Sequence, residues 1–243
     1  GNQMVDRIVS GIKGLDELVE GGIPLGSITL VSGPGGAGKS LLSMSFLAKG
    51  CNDGERCLYL TVEEPKNSLL KGARGIGLDV DEMMKEGKLV ISDLTTARMM
   101  ADSGDDTREH LANFSTIFSV IKAAHEEHPI SRLVVDSLTA IGIYYSDENE
   151  FRQELFRFCQ KIRDTNVTAL FVGESVEGGP VTRYGIEQFL SDGFIFLDLE
   201  KVEGELRRTL TVRKMRFTKN ESSTHPMLIL REGIRISIRE KVY

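Results

Sequence analysis

The stretch SGPGGAGKS, residues 32–40, constrains this chain more than any other. Residues 33–40 fit the pattern G-x-x-x-x-G-K-[ST] in full. Glycines let a backbone curl until successive N–H groups converge on an anion. A helix that starts straight afterwards adds unpaired N–H groups and partial positive charge. Both flanks fit. SITLVSG (27–33) is a β-branched apolar run that reads as a buried strand. From Lys39 onward Leu41, Leu42, Met44, Phe46 and Leu47 fall at helical spacing, with Gly50 read as the stop. An ordinary glycine turn before a helix does not account for the whole pattern with both flanks in place. Gly33, Pro34, Gly35, Gly36, Ala37, Gly38, Lys39 and Ser40 are therefore expected to hold a nucleoside triphosphate. Lys39 would reach its β/γ-phosphates, and the Ser40 hydroxyl would ligate Mg²⁺.

The remaining pattern says what kind of sheet carries that loop. RCLYLTV (56–62), KLVISD (88–93), RLVVDSL (132–138) and VTALFVG (167–173) read as further strands. Helical stretches stand between them: KNSLLKGARGI, STIFSVIKAAHEE and FRQELFRFCQKIRD. Residues 94–114, polar with ADSGDD at the centre, read as a mobile loop. After Gly193 the pattern changes to hairpins around EGE and REG. The expected fold is α/β: a P-loop core with a mostly parallel sheet, helices on both faces, and antiparallel strands at the C-terminal end. No composition break divides residues 1–243, so one domain is expected. Met4 reads as a natural start and residues 1–3 as an expression scar.

A phosphate loop needs a second metal-side acid and something to position water. Asp136 closes the apolar run RLVVD, where the carboxyl end of a parallel strand puts it on the ligand side. Acids at such ends also cap helices, but after a phosphate loop the metal role is favoured. Glu63 and Glu64 follow the next strand in TVEEP. Glu63 is read as the general base and Glu64 as its support. A pair of solvated acids at a helix start fits the residues equally well.

Composition limits the partners. A net charge of −6 argues against a chain whose main task is gripping a phosphate backbone. Forty per cent hydrophobic residues suffice for a sizeable core. Cys51, Cys57 and Cys159 lack any CxxC spacing and read as buried, reduced thiols of a cytoplasmic protein. No apolar run is long enough to span a membrane.

Taken together, RIVSGIKGLDELVEGGIPLGSITLVSGPGGAGKS, LYLTVEEP, RLVVDSLTA, GPVTRYGIEQFLSDGFIFL and VRKMRFTKNESSTHPMLI resemble the KaiC-like ATPases, a branch of the RecA/RadA superfamily. The resemblance runs in order along nearly the whole chain, apart from the region around 94–114. It implies a RecA-like core that hydrolyses ATP with Mg²⁺ between the subunits of a ring, commonly hexameric, or a filament. It implies that the paired glutamates activate water. It also implies that Lys214 and Arg216, a KxR element, reach a neighbouring subunit's phosphates. From spacing alone these two read as alternate residues on one face of an exposed basic strand. The chain departs from the family at Val172-Gly173-Glu174, where a hydroxyl pair often precedes the glutamate, and at Phe217, where a glycine often stands. Ala37 replaces a usual threonine. One copy of the domain is present, so the phosphorylation cycle of two-domain members is not implied.

Three functions follow. The first is an oligomeric ATPase that drives a protein partner or a conformational switch. The second is a DNA-binding recombinase paralogue, disfavoured because TAIGIYYSDENE and ESVEGGPVTRYG offer few cations to a phosphate backbone. The third is a nucleotide-binding assembly switch without turnover. Of the remaining residues, His225 reads as a turn residue, Tyr184 and Gly185 as loop-shaping, and Tyr144 and Tyr145 as packing at an edge.

Overall fold

The computed structural model describes residues 4–96, 112–176 and 178–239. Eleven strands are described: β1 (Arg7–Ile8), β2 (Ile23–Pro24), β3 (Ile28–Gly33), β4 (Cys57–Thr61), β5 (Leu89–Asp93), β6 (Arg132–Asp136), β7 (Thr168–Glu174), β8 (Gly193–Val202), β9 (Glu205–Met215), β10 (Thr224–Leu230) and β11 (Gly233–Ile236). Strands β1 and β2 pair by themselves, and the other nine form one sheet in the order β11-β10-β9-β8-β3-β7-β6-β4-β5. From β8 to β5 all neighbours are parallel; β9, β10 and β11 continue the sheet as antiparallel hairpins. The expected mixed α/β sheet is the observed one. The strand that feeds the phosphate loop, β3, lies between β7 and β8.

The helices are α1 (Leu15–Leu18), α2 (Lys39–Asn52), α3 (Lys66–Gly75), α4 (Val80–Lys85), α5 (Phe114–Glu127), α6 (Leu138–Gly142), α7 (Glu148–Asp164) and α8 (Glu187–Leu190). Alternation along the strands divides the core into two layers, one on each face of the sheet. Val31, Tyr59 and Val134 face α2 and α3, whereas Leu30, Leu58 and Val135 face α5 and α7. Side chains of a strand point alternately to opposite faces, so these near-continuous apolar strands feed both layers.

Several boundaries differ from the sequence reading. Gly50 does not stop α2, which runs on to Asn52. It lies inside the helix because a Cβ there would come 2.8 Å from the Arg132 side chain and from Cys57 Sγ. Arg132 is buried, with its guanidinium 4.8 Å from the Phe46 ring centre and Nη1 donating to the Phe46 carbonyl at 2.9 Å. Short α4 and α6 carry too few periodic residues to be seen in the pattern. The strand expected over 132–138 ends at Asp136, because the Ser137 side chain accepts from Ala140 N and caps α6. Of the loop expected over 94–114, residues 97–111 lie outside the described residues; Asn113 caps α5, and Ala112 and Phe114 are buried. Cys51, Cys57 and Cys159 are free and buried.

Candidate active site

The loop between β3 and α2 is shaped by its glycines. A Cβ on Gly33 would lie 2.3 Å from the Leu197 carbonyl oxygen, and Gly36 and Gly38 take left-handed φ values of 82° and 100°. No side chain caps α2, whose N-cap is Gly38. The first N–H groups of the helix thus remain available to an anion. Lys39 lies within the curl, its Nζ donating to the carbonyls of Gly33 at 2.5 Å and Pro34 at 3.0 Å. Burial pulls its ammonium below the usual lysine range, opposed by the negative charges of Glu174, Asp136 and Glu63.

Those acids converge because of strand register. Gly33 pairs with Glu174 across β3 and β7, Val172 with Asp136 across β7 and β6, and Asp136 with Thr61 across β6 and β4. Their carboxyl ends therefore line one crevice, the place where open parallel sheets bind ligands. Asp136 Oδ2 accepts from the Ser40 hydroxyl at 3.0 Å and from the Tyr59 hydroxyl at 2.5 Å. Burial pushes the Asp136 carboxyl up to about 6, against these two hydrogen bonds. Glu63 accepts from the Ser137 hydroxyl at 3.2 Å. Glu64 is held differently: its carboxylate accepts from Ser68 Oγ at 2.6 Å, and Thr61 Oγ1 bonds both its carbonyl and its N–H.

Gly35, Gly36, Gly38, Lys39, Ser40, Glu63, Glu64 and Asp136 line one cavity of about 310 Å³. Ser40 and Asp136 offer adjacent oxygens, the donor type that a hard cation takes, and Mg²⁺ is commonly held by one or two protein oxygens plus substrate phosphates. The residues present fit that ion.

Three contributors escaped the sequence reading. Glu174 lines the cavity from the end of β7. The strand-end rule that picked out Asp136 applies to it equally. Tyr59 anchors Asp136 from β4, a contact that needs the β4–β6 register. Arg208, on β9, donates to the Gly36 carbonyl at 3.0 Å, and no local pattern announces it. At Gly173, where the hydroxyl pair is missing, Ser32 Oγ and Thr139 Oγ1 stand 4.0 Å from where a Cβ would begin.

Lys214 and Arg216 are not among the residues lining this cavity. Lys214 Nζ donates to the Gln188 carbonyl at 2.8 Å, and Arg216 pairs with buried Asp192 at 3.2 Å. Burial pulls the Lys214 ammonium below the usual lysine range, with Asp192 opposing. The reading of two alternate residues on one strand face needs correction. The pairing of β8 with β9 slips between Phe194 and Ile195, and β9 ends at Met215. The extra residue flips the alternation, so Met215 joins Leu210 and Val212 in the core layer and Lys214 is turned out. Arg216 lies beyond the strand.

A family model described as "ATPase: KaiC" matches residues 8–241. The chain belongs to the KaiC family. KaiC3 of Synechocystis is 33% identical over 232 residues, which cover 95% of this chain and 45% of that protein. The KaiC clock oscillator protein of Synechococcus elongatus is 33% identical over 240 residues, again 45% of its length. The chain thus spans a little under half the length of these relatives. The crystal structure of a KaiC-like protein from the archaeon Pyrococcus horikoshii superposes with a TM-score of 0.83 at 31% identity, covering 96% of this chain and 100% of that one. The KaiC-family match and this neighbour bear out the RecA-like P-loop fold. Among the described residues no helix is long and apolar enough to cross a membrane.

Proposed function

We propose that this KaiC-family chain is an ATPase that binds ATP and Mg²⁺ in the β3–α2 loop and hydrolyses it at the subunit interfaces of a ring. The observation that carries this reading is the convergence of Lys39, Ser40, Asp136 and Glu63 on one cavity beside the loop. Hydrolysis would drive a conformational switch or a protein partner in the cytoplasm.

Each residue has a task. Loop N–H groups cradle the phosphates, and Lys39 exchanges its carbonyl partners for phosphate oxygens. Ser40 and Asp136 would hold Mg²⁺, which when bound would neutralise charge on the phosphates. Glu63 accepts a proton from the attacking water as the new oxygen–phosphorus bond forms, and the bond from the γ-phosphorus to the bridging oxygen breaks to release ADP. Glu64, already bonded to Ser68, supports Glu63 from the start of α3. Lys214 and Arg216 serve the site of the next subunit, where cations stabilise charge that develops in the transferring group.

The test is Glu63→Gln. Phosphate release should fall about a hundredfold or more while ATP binding is retained, because general-base catalysis contributes that much. Unchanged turnover would remove Glu63 as the general base, and none in the parent chain would leave a binding switch rather than an enzyme.

A further inference from the structure

We propose that Cys51 and Cys57 form a redox pair that a peroxide closes into an intramolecular disulfide. Cys51 lies in the last turn of α2, and Cys57 opens β4. The turn between them folds back tightly: Gly54 N donates to the Cys51 carbonyl at 3.0 Å, and Glu55 N to the Gly50 carbonyl at 2.9 Å. Gly50 leaves room for the second sulfur, since a Cβ there would lie 2.8 Å from Cys57 Sγ. The two thiols thereby meet in hydrogen-bond contact. A disulfide holds its sulfurs about 2 Å apart, so a side-chain movement of roughly 2 Å closes the bond.

The surroundings divide the work between the sulfurs. The hydrogen bond from Cys57 holds the Cys51 thiol below its ordinary range against burial, whereas that bond and burial together push the Cys57 thiol up. Arg132 favours the ionised form of both, and Glu55, its ion-pair partner at 3.2 Å, opposes. Cys51 is therefore the sulfur that attacks, because the thiolate is the nucleophile. It adjoins the exposed turn 52–54, the route for so small an oxidant. Its sulfur takes one oxygen of hydrogen peroxide as the O–O bond breaks, giving a sulfenic acid and water. The Cys57 sulfur then attacks that of Cys51: the S–S bond forms, the S–O bond breaks, and hydroxide leaves as water with the Cys57 proton. Two thiols give up two electrons, and one peroxide becomes two waters. Closed, the bond ties the end of the helix that starts at the phosphate loop to the strand that leads to Glu63. Cys159 is an internal control. It lies on α7 in the opposite core layer, where burial pushes its thiol up to about 12.

The test treats the reduced, folded full chain with hydrogen peroxide, then unfolds it, alkylates the free thiols and maps them by peptide mass spectrometry. Before treatment all three cysteines should be alkylated. Afterwards Cys159 alone should be, with Cys51 and Cys57 joined and the pair two hydrogens lighter; dithiothreitol should restore all three. Loss of the Cys51 and Cys57 thiols should outpace that of Cys159 about tenfold or more. Cys57→Ser should leave Cys51 carrying added oxygen, whereas Cys51→Ser should leave Cys57 unmodified. Melting curves check that each variant folds, and the parent decides the matter if one does not. Three alkylated thiols in the treated parent, loss of Cys159 at an equal rate, or a disulfide between two chains on a non-reducing gel would overturn the pair.

Discussion

Phe217 takes a left-handed φ of 60° just after Arg216, with most of its surface exposed. Glycine adopts that conformation without cost, which accounts for its use at this position in the resembling family. The aromatic ring lies 5.9 Å from the Arg216 guanidinium, a contact too exposed to offset much strain. Phe217→Gly should therefore stabilise the chain by roughly 1 kcal/mol, the strain relieved less the entropy glycine loses on folding. Chemical denaturation reads it, and a loss of stability would mean that the ring contributes more than its exposure suggests. At this scale the sequence was most legible where function is local. The loop spells out its own geometry, because the glycines and the lysine that shape it lie within residues 33–40. Tyr59 and Arg208 were illegible for the opposite reason, since each acts on a residue brought near only by sheet pairing.

Elements were legible in proportion to their length and periodicity. The long buried strands and α2, α5 and α7 stand out in the pattern, whereas α4 and α6 do not. The register slip in β9 has no signature in a run such as VRKMR, so Lys214 could not be placed by alternation. His225 was misread for a similar reason. It lies within β10, fully buried, with Nε2 3.0 Å from Glu221 and Nδ1 3.1 Å from the Ser237 carbonyl, and is no turn residue. Glu221 ties the approach to β10 in place. The hydroxyl and backbone N–H of Ser223, then His225, hold its carboxyl down at about 2. A depressed carboxyl contributes stability that is complete above its ordinary value of 4.5 and is lost as pH falls towards 2. Glu221 is partly exposed, so solvent screening keeps the contribution to about 1 kcal/mol. Glu221→Gln should be less stable than the parent near neutrality, and the gap should close as pH drops below about 4.5. Thermal melts at a series of pH values measure it; a gap that widens in acid would be the contrary result.

At the scale of the molecule, topology explains why distant motifs share one crevice. The order β8-β3-β7-β6-β4 puts the loop, Glu174, Asp136 and the Glu63–Glu64 pair on neighbouring strand ends. That much was expected from alternating strands and helices. Assembly was expected only through family resemblance, because Lys214 and Arg216 lie outside the cavity of their own chain. If they serve a neighbour, two crippled chains should complement each other. One carries Lys39→Ala and keeps its outgoing cations; the other carries Lys214→Ala with Arg216→Ala and keeps its own loop. Mixing them should give more ATP turnover than the sum of the separate preparations, since mixed interfaces unite an intact loop with intact cations. A simple average would place both cations elsewhere in the mechanism.

Strand β9 carries Arg208 at the loop and, beyond the register slip, Lys214 at its far end. An extended backbone covers about 20 Å between them. In a ring where Lys214 serves the neighbour, this single rod would join one compartment to the wall of the adjoining one, with the slipped register as a joint. Such a linkage would favour firing in succession around a closed array over compartments that act alone.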